Sequence, residues 1–208
     1  MGDVFSHKEF LEYLKAVLDI KHSLRDDLSL ADCHHPGLYS IVLRKNPKGE
    51  LLRVFVATKD IEAGSICYHT HKYGVKIVPL TTGIINHRAV PISTGNTCMT
   101  RFKKCKTTGK YIEVDSVHYD VSDHHLLKGT MTFLSHSDIH TISCKEDSMW
   151  VIQENIELGE YQDEFTFGIP PNKEGMYNKV DALTSLVLQN SILHEIIKTL
   201  ESYDQCPL

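Results

Sequence analysis

Hydrophobic residues recur with two different periods along the chain, and the change of period divides it into three parts. The first part has apolar residues at the three- and four-residue spacing of an α-helix: Phe10, Leu11, Leu14, Val17 and Leu18. The segment Ser6-His7-Lys8-Glu9, directly before these residues, is a capping box. We therefore expect an N-terminal helix of about four turns within a helical segment spanning residues 1–30.

From residue 38 to residue 168 the apolar runs are short and are separated by Gly, Pro, Asn and Asp. Many short strands without helices between them predict an antiparallel sandwich or barrel rather than a parallel α/β sheet. The predicted strands are Leu38–Leu43, Leu51–Ala57, Ile66–Tyr68, Val75–Pro79, Gly83–Val90, Thr97–Lys103, Tyr111–Val117, Gly129–Phe133, Thr141–Ser143 and Met149–Glu154.

Helical spacing returns near the C-terminus, within residues 176–204, where it is nearly heptad. The apolar positions are Leu183, Leu186, Val187, Leu193, Ile196, Ile197 and Leu200. Such a helix either covers the barrel or pairs with a copy of itself. We predict a mainly β fold with a helix at each end, and a homodimer.

Composition narrows the class of protein. The 208 residues suit one domain, and 41% hydrophobic with 24% charged residues is ordinary for a packed globular chain. A net charge of −5 does not favour nucleic acid or an anionic membrane as partner. No signal peptide or membrane-spanning stretch is evident, so a cytoplasmic protein is expected. Its six cysteines should then be reduced; Cys98 and Cys105 fit two separate thiols better than a zinc or redox pair.

Two histidines stand two residues apart, at His69 and His71. Residues i and i+2 of a strand share one face, so both imidazoles can be directed at one point. A third imidazole from a distant strand, His140, would complete a facial set of nitrogen ligands. Such a set leaves coordination positions open for substrate, water or oxygen.

The spacing around these histidines resembles the two motifs of the cupin superfamily. The first runs from Gly64 through His69-Thr70-His71 to Gly83, with Lys76 where the family has an acid. The second runs from Gly129 through Ser135-His136-Ser137 and His140 to Cys144, and keeps the family's spacing without its Pro, Gly and Asn. The resemblance covers roughly residues 50 to 155.

This resemblance implies a jelly-roll barrel that holds a divalent metal on His69, His71 and His140. Because an ammonium group repels a cation, Lys76 cannot replace the acid as a ligand. Either a three-histidine site remains, as in the cupin thiol and diketone dioxygenases, with Lys76 pointing elsewhere or contacting an anionic substrate, or the metal has been lost. Iron(II) is our first expectation for the ion, with zinc, nickel or copper as alternatives.

Three functions follow as hypotheses. The first is a metal-dependent, dioxygenase-like oxidoreductase that acts on a small molecule. The second is a metal-independent sugar-nucleotide isomerase or epimerase, in which a first-motif histidine is the base beside Tyr73. The third is a non-catalytic barrel used for binding or assembly. Lys76, Tyr73 and Asp138 are the candidate catalytic residues, and Asp138 is expected to orient a metal ligand.

Five other histidines have less specific interpretations. His34 and His35 precede Pro36-Gly37 and are interpreted as a solvated loop. Asp123, His124 and His125 are interpreted as a solvated polar loop, with metal binding the lesser alternative. The fifth, His136, lies near the third expected ligand in the sequence.

Overall fold

We describe the fold from a computed structural model of the chain. The described residues are 7–19, 28–47, 49–71, 73–104, 111–155, 166–169, 181–182 and 186–204. The two helices are α1 (His7–Asp19) and α2 (Leu186–Asp204). The strands are β1 (Leu30–Ala31), β2 (Leu38–Lys45), β3 (Leu51–Ala57), β4 (Tyr68–His69), β5 (Gly74–Pro79), β6 (Ile84–Pro91), β7 (Thr97–Lys104), β8 (Tyr111–Leu126), β9 (Thr132–Leu134), β10 (Ile139–Cys144), β11 (Met149–Asn155), β12 (Thr166–Ile169) and β13 (Asp181–Ala182).

The strands form two antiparallel assemblies. Seven of them make an open sheet in the order β13-β1-β2-β3-β11-β5-β9. The other six close on themselves in the order β10-β4-β12-β7-β8-β6, and we call this assembly the ring. The mainly β, antiparallel architecture with a helix at each end is the one that the sequence predicts, and that prediction is confirmed.

Both helices pack on one face of the open sheet. Leu14 of α1 and Leu193 and Leu200 of α2 are fully buried in one hydrophobic cluster with Ile41 and Val54 of the sheet. The C-terminal helix thus covers one face of the open sheet, and its pairing with a copy of itself stays a prediction. Across the described residues, neither helix has the length and apolar character needed to cross a lipid bilayer.

A second hydrophobic cluster joins the other face of the open sheet to the ring. Its largest member is Trp150, which is 2% exposed and stacks on Phe55 with ring centroids 5.4 Å apart. Ile84 and Ile142 enter the same cluster from the ring. An apolar layer therefore holds the histidine-bearing strands of the ring against the open sheet. Burial of apolar surface is the dominant stabilising term in folding.

One strand is much longer than the sequence indicates. The predicted strand from Tyr111 stops at Val117, whereas β8 continues to Leu126. Its second half pairs with all of β6, so that Asp123, His124 and His125 lie opposite His87, Asn86 and Ile85. The interpretation of these three residues as a loop was wrong, because backbone pairing with β6 outweighs their polar side chains.

Candidate metal centre

The three histidines identified by their spacing lie close together beside the His69–His140 pair of the six-stranded closed assembly. His69 of β4 and His140 of β10 are direct partners across the antiparallel ladder, so their side chains share a face. His71 lies just past the end of β4, where its backbone N–H donates to the carbonyl of His136 at 3.3 Å. Ladder pairing and this turn, rather than one long strand, bring the three rings to the same place.

The three imidazoles form a compact cluster. Their potential ligand atoms all lie within 4.8 Å of one another. The ring centroids are 5.0 Å apart for His69 and His71 and 4.9 Å apart for each of the other two pairs. Among the described residues, these histidines are the one group of His, Cys, Asp or Glu side chains with the spacing of metal ligands.

Hydrogen bonds fix which nitrogen of two rings is available. His140 Nδ1–H donates to the side-chain oxygen of Asn86 at 2.7 Å, and His69 Nδ1–H donates to the carbonyl of Cys67 at 3.0 Å. A neutral imidazole with a protonated Nδ1 presents its lone pair at Nε2. The Nε2 atoms of His140 and His71 lie 2.7 Å apart, so His71 Nε2–H donates and His140 Nε2 accepts.

Burial keeps these rings neutral. Loss of solvation lowers the pKa of His69, and it lowers the pKa values of His71 and His140 well below the usual value. Repulsion from the neighbouring imidazoles lowers the pKa further for His71 and His140. A metal ligand must be unprotonated, so the environment holds the three rings in the form that binds a cation.

These residues fit a divalent transition metal. Two nitrogens bound at about 2.1 Å to one ion lie roughly 3.0 to 3.4 Å apart. The observed 2.7 Å between His71 and His140 needs only a small widening to reach that separation. Neutral nitrogen donors suit iron, zinc, nickel and copper.

Asn86 is the contributor that the sequence analysis missed. It is 2% exposed, and it lies on β6 between the apolar Ile84 and the exposed Arg88. Alternation along β6 places Asn86 on the same face as Ile84, which belongs to the core. A polar amide on an apolar strand face needs a buried partner, and this was the signal available in the sequence.

A fourth histidine lies against the cluster from outside the two motifs. The ring of His34 stacks on that of His69, with centroids 5.5 Å apart and planes inclined by 24°. His34 belongs to the turn between β1 and β2 and is exposed to solvent, as the sequence predicted. Its stacking on a candidate ligand was not expected, since the two residues are distant along the chain.

Two of the three candidate catalytic residues have defined surroundings. Lys76 pairs with Gln153 and Phe133, whereas its strand neighbours Val75 and Ile77 enter the core. Because paired residues share a face and successive residues alternate, Lys76 is on the side of β5 opposite the second hydrophobic cluster, which is the side of the open sheet on which the helices pack. This placement fits the alternative in which Lys76 points away from the histidines.

Asp138 accepts hydrogen bonds from the guanidinium of Arg88 and from the backbone N–H of Ser135, the latter at 2.8 Å. Tyr73 lies half-buried between β4 and β5. The hydrogen bond that holds the ring of His140 is the one that its Nδ1–H donates to Asn86. Catalytic roles for Lys76, Tyr73 and Asp138 stay predictions.

A separate chain of polar groups lies on the opposite face of β10. Ser143 Oγ and His87 Nε2 are hydrogen-bonded at 2.7 Å, and His87 Nδ1–H donates to the Asp123 carboxylate at 2.6 Å. Ser143 and His87 are buried, while the side chain of Asp123 is 60% exposed. These hydrogen bonds give the buried side chains of Ser143 and His87 polar partners and connect them to a solvated carboxylate.

The cysteines and glycines agree with the sequence interpretation where they are described. Cys33, Cys67, Cys98 and Cys144 are free thiols, while Cys105 and Cys206 lie outside the described residues. Gly64 and Gly83, which bound the first motif, have φ angles of 72° and 84°. Residues other than glycine rarely adopt this region, so both ends of the motif need glycine for conformational reasons.

Comparison with known proteins gives likenesses at the level of structure only. No protein-family model and no curated protein matches the chain. A cupin domain from Bordetella pertussis Tohama I is similar over 57% of this chain and 93% of its own, with 15% identity and a TM-score of 0.34. Hydroxypropylphosphonic acid epoxidase from S. wedmorenis is similar over 65% of this chain and 59% of its own, with 11% identity and a TM-score of 0.37.

The polyketide cyclase RemF from Streptomyces resistomycificus is similar over 79% of this chain and 85% of its own, with 13% identity and a TM-score of 0.28. With TM-scores below 0.5 in all three comparisons, nothing about the activity of this protein follows from them.

Proposed function

We propose that the protein binds a divalent transition metal through His69, His71 and His140 and uses it to act on a small molecule. The observation that carries the proposal is the mutual placement of three neutral imidazoles with ligand atoms within 4.8 Å of one another. Iron(II) is the ion we expect first, in a dioxygenase-like oxidoreductase, and zinc, nickel or copper are the alternatives. A cytoplasmic homodimer belongs to the same proposal.

The protein's own residues would orient the imidazole ligands and limit the access of water to the metal site. Bound iron(II) would supply oxygen chemistry, whereas zinc or nickel would supply a Lewis acid. Asn86 and the Cys67 carbonyl hold the Nδ1 protons of His140 and His69, which directs the Nε2 lone pairs into the cluster. His140 itself is only 2% exposed, so bulk water is largely kept from one side of the site. Three protein ligands leave positions where substrate can bind.

Elemental analysis by plasma mass spectrometry tests the metal directly. The purified, untagged protein, reconstituted anaerobically with iron(II) and desalted, is expected to retain near one equivalent of metal. The His69→Ala/His140→Ala variant should retain almost none. Since His124 and His125 are exposed on β8, the variant His124→Ala/His125→Ala is the matched control and should bind as the wild type does. Wild-type protein without metal, or equal retention by the His69/His140 variant, would contradict the proposal and turn the search to a metal-independent isomerase or a binding role.

Replacing Asn86 tests the orientation of His140. In Asn86→Ala the Nδ1–H of His140 loses its acceptor, so both tautomers become accessible and the bond to the metal weakens. We expect metal affinity to fall by about 10- to 100-fold, the usual cost of losing such a partner. Asn86→Asp keeps an acceptor at the same place and should lose much less. Titration calorimetry with zinc measures both variants, and an unchanged affinity in Asn86→Ala would show that this hydrogen bond does not orient the ligand.

A further inference from the structure

The turn between β1 and β2 holds His34 at the edge of the histidine cluster. The backbone N–H of Cys33 donates to the carbonyl of Leu38 at 2.7 Å, and the N–H of Gly37 donates to the Asp32 carboxylate at 2.6 Å. Both Asp32 and His34 have positive φ angles, of 50° and 66°. Residues other than glycine adopt this conformation uncommonly, and it is a recognised feature of functional sites.

The ring of His34 faces the cluster, and that of its neighbour does not. His34 stacks on His69 at 5.5 Å between centroids, whereas His35 Nδ1–H donates to the carbonyl of Pro36 at 2.8 Å. Two adjacent imidazoles in one turn therefore have different environments. The left-handed backbone at His34 is the local cause, because it rotates this residue relative to the next one.

Three histidine ligands leave coordination positions at the ion that a further donor can fill. His34 is an imidazole that stacks directly on one of the three candidate ligands. The nitrogens of His34 lie outside the group of ligand atoms that are within 4.8 Å of one another, although its ring stacks on that of His69 at 5.5 Å between centroids. Coordination by His34 therefore requires its side chain to turn toward the other imidazoles when the ion binds.

We propose that His34 is a fourth nitrogen ligand of the metal, supplied by the β1–β2 turn. This inference rests on the proposed function, since it requires an ion bound to His69, His71 and His140. It adds a residue outside both motifs to the site. It also gives the β1–β2 turn a direct contact with the metal.

Copper(II) is a suitable probe, because its electron paramagnetic resonance spectrum reports the nitrogens coupled to the ion. Wild-type protein with one equivalent of copper(II) is expected to show four coupled imidazole nitrogens, and His34→Ala three. Added imidazole should restore the four-nitrogen spectrum of His34→Ala by occupying the vacated position. His35→Ala removes the neighbouring ring of the same turn and should give the wild-type spectrum.

Affinity for copper(II), measured by competition with a chelator, gives a second readout. His34→Ala should bind at least about tenfold more weakly, and His35→Ala should match the wild type. Four coupled nitrogens in His34→Ala, or weaker binding with three nitrogens in both wild type and variant, would overturn the inference while leaving the three-histidine site intact. Wild-type protein that binds no copper(II) at the cluster would overturn both this inference and the proposed function.

Discussion

Loading the protein with cobalt(II) at a thousand times its dissociation constant is expected to raise the free energy of unfolding by about 4 kcal/mol. The ligands come from β4, the residues just after it, and β10, and they meet only in the folded chain. An ion that binds this arrangement and not the unfolded chain stabilises the fold by mass action. For a domain of this size the midpoint of thermal unfolding should rise by roughly 8 to 16 °C.

Thermal unfolding followed by circular dichroism, with and without cobalt(II), measures this shift. The His69→Ala/His140→Ala variant is the reference, because it keeps every strand and removes two of the three rings. Its midpoint should not move when cobalt(II) is added. An equal rise in variant and wild type would mean that the ion binds elsewhere, and no rise in the wild type would contradict a site formed by folding.

Trp150→Ala is expected to lower the free energy of unfolding by about 3 to 5 kcal/mol. Trp150 lies on β11, which is hydrogen-bonded to β3 on one side and β5 on the other. Its ring is 2% exposed and nearly parallel to that of Phe55, with 5° between the planes. Truncation leaves a cavity where the open sheet meets the ring, and strands paired on both sides cannot easily collapse into it.

Trp150→Phe is the matched control in urea unfolding. It keeps an aromatic ring in the stack and removes an indole N–H that is buried with no acceptor among the described residues. Since the lost volume and the removed polar group have opposite effects, a cost below about 1.5 kcal/mol is expected. A cost under about 1 kcal/mol for Trp150→Ala would show that this position is not central to the core.

The sequence predicted which histidines form the cluster better than it predicted how the backbone brings them together. The spacing of His69, His71 and His140 was enough to name the three rings, and the structure brings them together. The mechanism of convergence differs from the expected strand alternation, because β4 ends at His69. Cross-strand pairing places His69 beside His140. The register between two strands that are distant in the sequence cannot be predicted from the spacing of residues within one of them.

The contacts of Asn86 and His34 with the histidine cluster could not be predicted from local sequence patterns. The contact of Asn86 with His140 depends on the register of β6 against β10, and that of His34 with His69 depends on a turn closed by backbone hydrogen bonds. Both are relations between segments far apart in the chain. Element types, by contrast, follow from hydrophobic period alone, and this is why the helices and most strands were predictable.

The two-residue strand β4 has a double role. It is the link through which β10 connects to β12, and so the ring closes only while His69 stays paired with His140 on one side and with Phe167 on the other. The same residue therefore closes the ring of strands and is a candidate metal ligand. A partner or substrate that displaced the backbone of His69 would separate β10 from β12 and change the candidate site together.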